Sequence, residues 1–239
     1  MDLSIVIPAY NEGKKISGDI FAADKFLKEN NFEGEIIIVD DGSIDDTYDV
    51  SINCENKTFF NLNVIRLNKN QGKGNAVKEG ILNSKGKLVL YADAGETVGF
   101  ENSLLGIKLI NDGKFKIANG SRKMKGSKII KEQDFDRKLI SKIFGFAAKY
   151  LLKIPKDLTD TQCGFKLYDG KVAKQLFSKL ETTGFLFELE IILLAIKEGY
   201  NIVEFPVIWK CDRDSRISVS KSSKKVIDEF IFLYKKFIS

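Results

Sequence analysis

Short apolar runs alternate with two-faced helical stretches along the first half of this chain. Leu3–Pro8 and Glu35–Val39 are β-branched and bounded by turn residues, the pattern of strands buried on both faces of a parallel sheet. Between them Ile16, Ile20, Ala23, Phe26 and Leu27 repeat at helical spacing, and Asn30, Asn31 and Gly34 supply a terminator. This is a βαβ unit with an expected right-handed crossover. The rhythm continues with a strand at Asn63–Leu67, a helix at Gly74–Ser84 and a strand at Leu88–Tyr91 that runs into the polar corner Ala92–Glu96. Phe100–Asn111 reads as helix and Phe115–Asn119 as strand.

Beyond that point the alternation loosens. Asp136–Lys153 has an amphipathic helical pattern, with Leu139, Ile143, Phe146, Ala147, Tyr150 and Leu151 on one side. Gly164–Tyr168 reads as extended, Phe185–Glu198 as helix and Asn201–Ile208 as strand. The stretch Ser223–Ile238 sets Val226, Ile227, Phe230, Ile231, Tyr234, Phe237 and Ile238 against a lysine-rich face. No internal repeat is visible. The pattern predicts an α/β fold with a mostly parallel sheet flanked by helices.

Composition narrows the picture. With 239 residues, 44% of them hydrophobic, the chain can build one large core, and no Pro/Ser-rich linker divides it. Met1–Pro8 reads as a strand rather than a secretory leader, and no run reaches the roughly 18–20 apolar residues of a membrane span. The expectation is a chain that is soluble or lies on a membrane surface. Cys54, Cys163 and Cys211 have neither a zinc spacing nor a disulfide framework, which fits a reducing cytoplasm. The net charge of +5 hints at anionic partners, and no nucleic acid is expected among them. Histidine is absent, which excludes His-based triads, His-ligated metals and imidazole acid–base chemistry.

Ligands of open parallel sheets bind beyond the carboxyl ends of the strands. The first strand ends in Pro8-Ala9-Tyr10-Asn11-Glu12 and the second in Asp40-Asp41-Gly42-Ser43, with Asp45, Asp46 and Thr47 close behind. The fourth ends in Asp93. One Asp-Asp-Gly is ordinarily a turn or a cap, but three strand ends sending carboxylates to one rim point to a site. The loop Asn70-Gln71-Gly72-Lys73-Gly74-Asn75 leads into a helix. It is not a dinucleotide fingerprint, because Val77 stands where the third glycine belongs, nor a Walker A motif. Its backbone suits close approach to a phosphate or ribose.

Together these segments resemble the opening signatures of family 2 glycosyltransferases: Ile5-Val6-Ile7-Pro8-Ala9-Tyr10-Asn11-Glu12, Val39-Asp40-Asp41-Gly42-Ser43 and Asn70-Gln71-Gly72-Lys73-Gly74. Gly120-Ser121-Arg122, Asp160-Thr161-Gln162-Cys163-Gly164-Phe165-Lys166, Phe187-Glu188-Leu189-Glu190 and Glu204-Phe205-Pro206-Val207-Ile208-Trp209 look like the polyprenyl- or dolichyl-phosphate glucose and mannose synthase branch. The resemblance runs from about residue 3 to residue 219. It implies a GT-A (Rossmann-like) domain over residues 1–220, followed by an amphipathic helix over 221–239 that is part of that domain or touches a membrane.

The resemblance also implies roles. Pro8, Tyr10, Glu12, Asp40, Asp41, Lys73, Gly74 and Asp93 would hold the nucleotide sugar. Asp93 takes the first position of an Asp-X-Asp motif for Mg²⁺ or Mn²⁺, hard cations suited to a departing diphosphate. Asp93, Arg122, Asp160, Gln162 and Glu188 form the implied catalytic set. Arg122, Arg137, Arg213 and Arg216 would hold phosphates by bidentate contacts. The sequence departs from the pattern at Gly95, where the second aspartate should stand. Either Glu96 supplies the second ligand, or Asp93 suffices with donor phosphates and water, or the chain is a metal-poor relative.

The implied reaction is inverting transfer of a hexose from UDP-glucose or GDP-mannose to a polyprenyl or dolichyl phosphate. Such a phosphate is already mostly dianionic at neutral pH and needs no strong base. A saccharide or protein hydroxyl acceptor would need one, with Asp160 and Glu188 the first candidates. A non-catalytic nucleotide-sugar-binding protein is the third reading. A lipid acceptor would place the chain at the cytoplasmic face of a membrane. Two lysine-edged apolar stretches suit that surface, Ile140–Leu152 and the C-terminal helix. Both also suit packing on the domain or on a partner subunit, so self-association stays open.

Overall fold

The computed structural model describes residues 1–131, 149–210 and 219–239. Seven strands form one sheet in the order β3-β2-β1-β4-β7-β5-β8. They are β1 (Leu3–Ala9), β2 (Gly34–Asp40), β3 (Asn61–Arg66), β4 (Leu88–Ala92), β5 (Ile117–Ser121), β7 (Phe165–Asp169) and β8 (Ile202–Pro206). β1, β2, β3 and β4 pair in parallel, as do β5 and β8. β7 is inserted antiparallel between β4 and β5. The mostly parallel sheet expected from the alternating runs is therefore present, with one reversed strand.

Alternation along each strand divides the core between two faces. Ile5, Ile7, Ile36, Ile38 and Leu90 face the helix α1 (Ile16–Glu29), which lays Ile16, Ile20, Ala23 and Phe26 on them. α4 (Ser103–Asn111) adds Ile107 and Ile110 to the same layer. Val6, Ile37, Val39, Val89 and Tyr91 face the other way, onto α3 (Lys73–Asn83), α5 (Gly170–Ser178) and α6 (Phe187–Lys197). A third cluster joins α6 to the C-terminal helix α7 (Val219–Phe237) through Leu189, Ile192, Leu193 and Leu233. Much of the apolar face of α7 is thus spent on the domain, while Ile227, Ile231 and Tyr234 stay exposed.

Several boundaries differ from those the pattern predicts. The expected strand Asn201–Ile208 breaks at Val207. Its second part becomes β9 (Ile208–Lys210), which pairs with β6 (Lys128–Lys131) in a separate two-stranded ribbon. α5 and the short helix α2 (Thr47–Ile52) lie where no helix is predicted. Of the expected helix Asp136–Lys153, residues 149–151 are helical, and the rest falls almost wholly outside the described residues.

Candidate active site

The strand ends of β1 and β2 are bound to each other by backbone amides meeting short polar side chains. The Asn11 amide donates to Ser43 Oγ at 2.8 Å, and Asn11 Oδ1 accepts from the Ile44 amide at 2.9 Å. The Glu12 amide donates to Thr47 Oγ1 at 2.7 Å. Pro8 and Glu12 are half-buried on this rim, and Tyr10 is exposed.

Asp40 and Asp41 turn inward. Asp40 is fully buried; its Oδ1 accepts from the Ser43 amide at 2.9 Å and its Oδ2 lies 3.4 Å from Arg66 Nε. Asp41 spends both oxygens on the glycine-rich loop, accepting from the amides of Gln71 (2.7 Å) and Gly72 (2.9 Å). Burial pushes its carboxyl above the ordinary value against those two bonds. Gly72, at φ +104°, begins α3, a backbone shape that only glycine adopts readily. A Cβ on Gly74 would meet Thr182 O at 2.8 Å, so this glycine lets α3 approach the 182–183 segment closely. Its amide donates there to Thr183 O at 2.9 Å.

Asp93 leaves the end of β4 half-buried, with Lys73 Nζ 2.8 Å from its Oδ1 and 3.0 Å from its Oδ2. The Tyr91 hydroxyl donates to Oδ1 at 2.6 Å. Burial, with Asp93 beside it, holds the Tyr91 phenol well above its usual pKa, so it stays a donor. Burial opposes the charge on Lys73, but the carboxylates of Asp93 and Glu188 outweigh it and raise the lysine above its ordinary value. Gly164 makes this arrangement possible: its amide carbonyl accepts from the Asp93 amide at 2.8 Å, and a Cβ there would fall 2.0 Å from Asp93 Oδ2.

The next turn contains two consecutive left-handed residues, Gly95 (φ +89°) and Glu96 (φ +47°). For glutamate that costs roughly 1–2 kcal/mol. The buried Asp19 of α1 holds both amides, accepting from Gly95 at 2.9 and 3.0 Å and from Glu96 at 2.8 Å. Burial pushes the Asp19 carboxyl up to about 7, the amide bonds pull it down, and the charges of Glu96 and Glu12 push it up again.

Across the reversed strand, Tyr91, Lys166, Asn119 and Glu204 are register partners on β4, β7, β5 and β8, so they share one face of the sheet. Glu204 accepts from the Asp160 amide (2.7 Å) and from Thr159 Oγ1 (2.5 Å). Asp160 in turn grips Arg122: Nε to Oδ2 at 2.7 Å, Nη2 to Oδ1 at 2.8 Å and the Arg122 amide to Oδ2 at 3.0 Å. Burial alone would raise the Asp160 carboxyl, but the hydrogen bonds and charge of Arg122 win and hold it at about 2. Lys166, 1% exposed, donates to Thr161 O at 3.1 Å and lies 3.9 Å from Glu188 Oε1. Burial raises the Glu188 carboxyl, with Lys166 and Lys73 opposing. Glu188 Oε1, Gln162 Nε2 and both ends of the Asn119 carboxamide are buried without a hydrogen-bond partner among the described residues. Burial holds the Cys163 thiol up to about 12, so it is no nucleophile.

Asp93, Lys73, Tyr91, Arg122, Asp160 and Glu188 thus converge where β4 and β5 end and the reversed β7 begins; the charges of Asp93 and Arg122 both act on the Glu188 carboxyl. Arg137, Arg213 and Arg216 lie outside the described residues. The sequence did not single out Asp19, Tyr91, Asn119, Gly164, Lys166 or Glu204 as members of the site, although Gly164, Lys166 and Glu204 stand inside its recognised segments. No group of three His, Cys, Asp or Glu side chains suited to a metal occurs among the described residues. Asp93 is nevertheless a partly exposed hard-oxygen ligand beside the ammonium of Lys73. A divalent cation carried by a diphosphate needs only one or two protein carboxylates, so the residues fit such an ion.

Comparison with known proteins agrees with this geometry. The chain is 32% identical to a dolichyl-phosphate beta-glucosyltransferase of Saccharomyces cerevisiae, over 97% of this chain and 73% of the yeast protein. It is 34% identical to a protein of the same name from Dictyostelium discoideum, over 96% of this chain and 72% of that one. Among solved structures, a Mycobacterium tuberculosis glucosyl-3-phosphoglycerate synthase in complex with Mn²⁺, UDP and glucosyl-3-phosphoglycerate superposes with a TM-score of 0.71 at 16% identity, covering 100% of this chain and 81% of that one. That likeness establishes the GT-A fold. The profile described as "Glycosyl transferase family 2" matches residues 4–177, and the chain belongs to that family.

Proposed function

We propose that this glycosyltransferase moves a glucosyl group from UDP-glucose to a dolichyl or other polyprenyl phosphate, with inversion at the sugar carbon. The observation that carries the reading is identity of 32–34% to dolichyl-phosphate beta-glucosyltransferases over 96–97% of the chain. The β-configuration in those names fits inversion of an α-linked donor.

The residues support a division of labour. The amide-braced loops at the ends of β1, β2 and β3 receive the nucleoside, and Lys73 is placed to turn from Asp93 to a donor phosphate oxygen. Mg²⁺ or Mn²⁺ held by Asp93, with Glu96 as second ligand, would neutralise charge on the leaving diphosphate. On the other side, the hydrogen bonds of Arg122 to Asp160 use Nε and Nη2, which leaves Nη1 as the edge to meet the acceptor phosphate. Asp160 orients that guanidinium and stays ionised. A dianionic phosphate then attacks without a protein base, and catalysis rests on positioning and charge.

No described helix is long and apolar enough to cross a membrane. We place the enzyme peripherally at the cytoplasmic face, where a lipid phosphate is reached. Glu188 favours a second reading: buried, raised in pKa and with Oε1 lacking a hydrogen bond beside the Lys166 charge, it suits a base for a hydroxyl acceptor.

The test is release of nucleoside diphosphate from a panel of UDP- and GDP-sugars with Mg²⁺ or Mn²⁺, with and without a short polyprenyl phosphate. Release from UDP-glucose that needs both lipid and metal is expected. Asp93→Asn should cut that turnover by about 10²–10³-fold, the scale of losing one preorganised electrostatic contact. Release supported by a sugar hydroxyl and abolished in Glu188→Gln would favour the second reading instead.

A further inference from the structure

We infer that Asp19 is a positioning residue of the donor site, a carboxylate on α1 that fixes the turn carrying Glu96 and so sets what Asp93 and Glu96 present to a diphosphate-bound cation. The inference rests on the reading of Asp93 and Glu96 as the cation-facing pair.

Three observations lead to it. Two successive left-handed residues, Gly95 and Glu96, aim their amides at one point. Such a nest is an anion-binding shape, and here the acceptor is the protein's own carboxyl: Asp19, 2% exposed, fills it with three hydrogen bonds of 2.8–3.0 Å. The turn is therefore closed to a phosphate at that point and held from α1, 76 residues away.

Second, the same helix lies against the Glu96 side chain. A Cβ on Gly18 would lie 3.0 Å from Glu96 Oε1, so α1 leaves just enough room for that carboxylate. Third, the other end of the turn is equally fixed, since the Asp93 amide donates to Gly164 O at 2.8 Å. With both ends pinned, the backbone positions that project the two carboxylates belong to the frame rather than to a flexible loop. This explains how a sequence with glycine at the second motif position keeps a defined turn. The aspartate beneath the turn holds its backbone, while Glu96 is left to present the second carboxylate.

The test uses the full chain and two variants, Asp19→Ala and Asp19→Asn. UDP binding is measured by titration calorimetry with and without Mn²⁺, and hydrogen exchange is followed at the Gly95 and Glu96 amides. In Asp19→Ala those amides should exchange faster. The gain in UDP affinity on adding Mn²⁺ should shrink by about 10–100-fold, the usual scale for groups that orient metal ligands. Metal-free UDP affinity should hardly change. Asp19→Asn keeps the volume and one acceptor oxygen, so an intermediate loss is expected; it carries the test if the alanine variant does not fold. Faster exchange with an undiminished Mn²⁺ effect would show Asp19 to be merely structural and overturn the inference. Unchanged exchange would overturn it too. If the unaltered chain shows no Mn²⁺ effect on UDP binding, the cation reading itself fails, an outcome visible without either variant.

Discussion

The two halves of the rim, which we propose face the donor and the acceptor, are built by different physics. On the donor side, loops after β1, β2, β3 and β4 are held by backbone amides donating to side chains: Asn11 to Ser43, Glu12 to Thr47, Gln71 and Gly72 to Asp41, Gly95 and Glu96 to Asp19. On the acceptor side, charges hold charges: Arg122 with Asp160, and Lys166 with Glu188. Topology explains the difference. Adjacent parallel strands deliver neighbouring loops whose amides have lost their ladder partners, and short acceptors satisfy them. The reversed strand β7 brings a segment across the sheet from the other direction, and there the amides of Arg122 and Asp160 meet the carboxylates of Asp160 and Glu204, with the ion pairs Arg122–Asp160 and Lys166–Glu188 added. The donor rim rests mainly on amide-to-side-chain bonds; the acceptor rim adds buried ion pairs to them.

The largest expected effect therefore lies on the acceptor side. Arg122→Met leaves Asp160, 1% exposed, without its guanidinium, and breaking a buried pair this way costs about 3–5 kcal/mol. Urea unfolding at neutral pH checks it; a loss below about 1 kcal/mol, the range of exposed pairs, would refute the charge-built joint. Acid sharpens the comparison. Asp160 is held at about 2, below its ordinary 3.8. A depressed carboxyl contributes stability that is complete above the unfolded pKa and lost as pH falls through the folded one. The window is thus about pH 4 down to about 2, and the contribution at stake is about 2 kcal/mol. The stability gap between the unaltered chain and Asp160→Asn should close across that window, as measured by urea titrations at stepped pH.

The same contrast governs what could be read from the sequence. The donor half was legible, because βαβ repetition writes itself as alternating apolar runs, and strand-end carboxylates stand out at fixed places in that rhythm. The acceptor half was less so. β7 has the same apolar character whichever way it runs, so its reversal left no trace. α5 carries Val172, Ala173, Leu176 and Phe177 at helical spacing and an Asp169 cap accepting from the Lys171 and Val172 amides, yet Asp169-Gly170 reads locally as a turn. β6 and β9 are too short to show a period. Asp19 and Glu204 escaped because their roles depend on partners 76 and 44 residues away, a distance at which spacing carries no signal. Gly164 was visible as part of a recognised segment, but its reason, room for the Asp93 carboxylate, exists only in three dimensions.

The smallest expected effect comes from the donor frame, and its sign is the sharpest test of the contrast. Asp41 accepts two loop amides, so replacing it should matter; but burial has raised its carboxyl, which means the ionised form is already disfavoured inside the protein. Asp41→Asn keeps the volume and one acceptor while turning an NH₂ toward the second amide. The loss of that bond is offset by removing a buried charge, so the net cost should be only about 1 kcal/mol. The pH dependence should run opposite to that of Asp160. A carboxyl with a raised folded pKa binds more protons folded than unfolded, so its contribution falls as pH rises through that interval. The unaltered chain should therefore lose ground to Asp41→Asn on going from about pH 4 upward, whereas it gains ground over Asp160→Asn as pH rises from about 2 to about 4. If both differences moved in the same direction, the two halves of the rim would not be built on different principles after all.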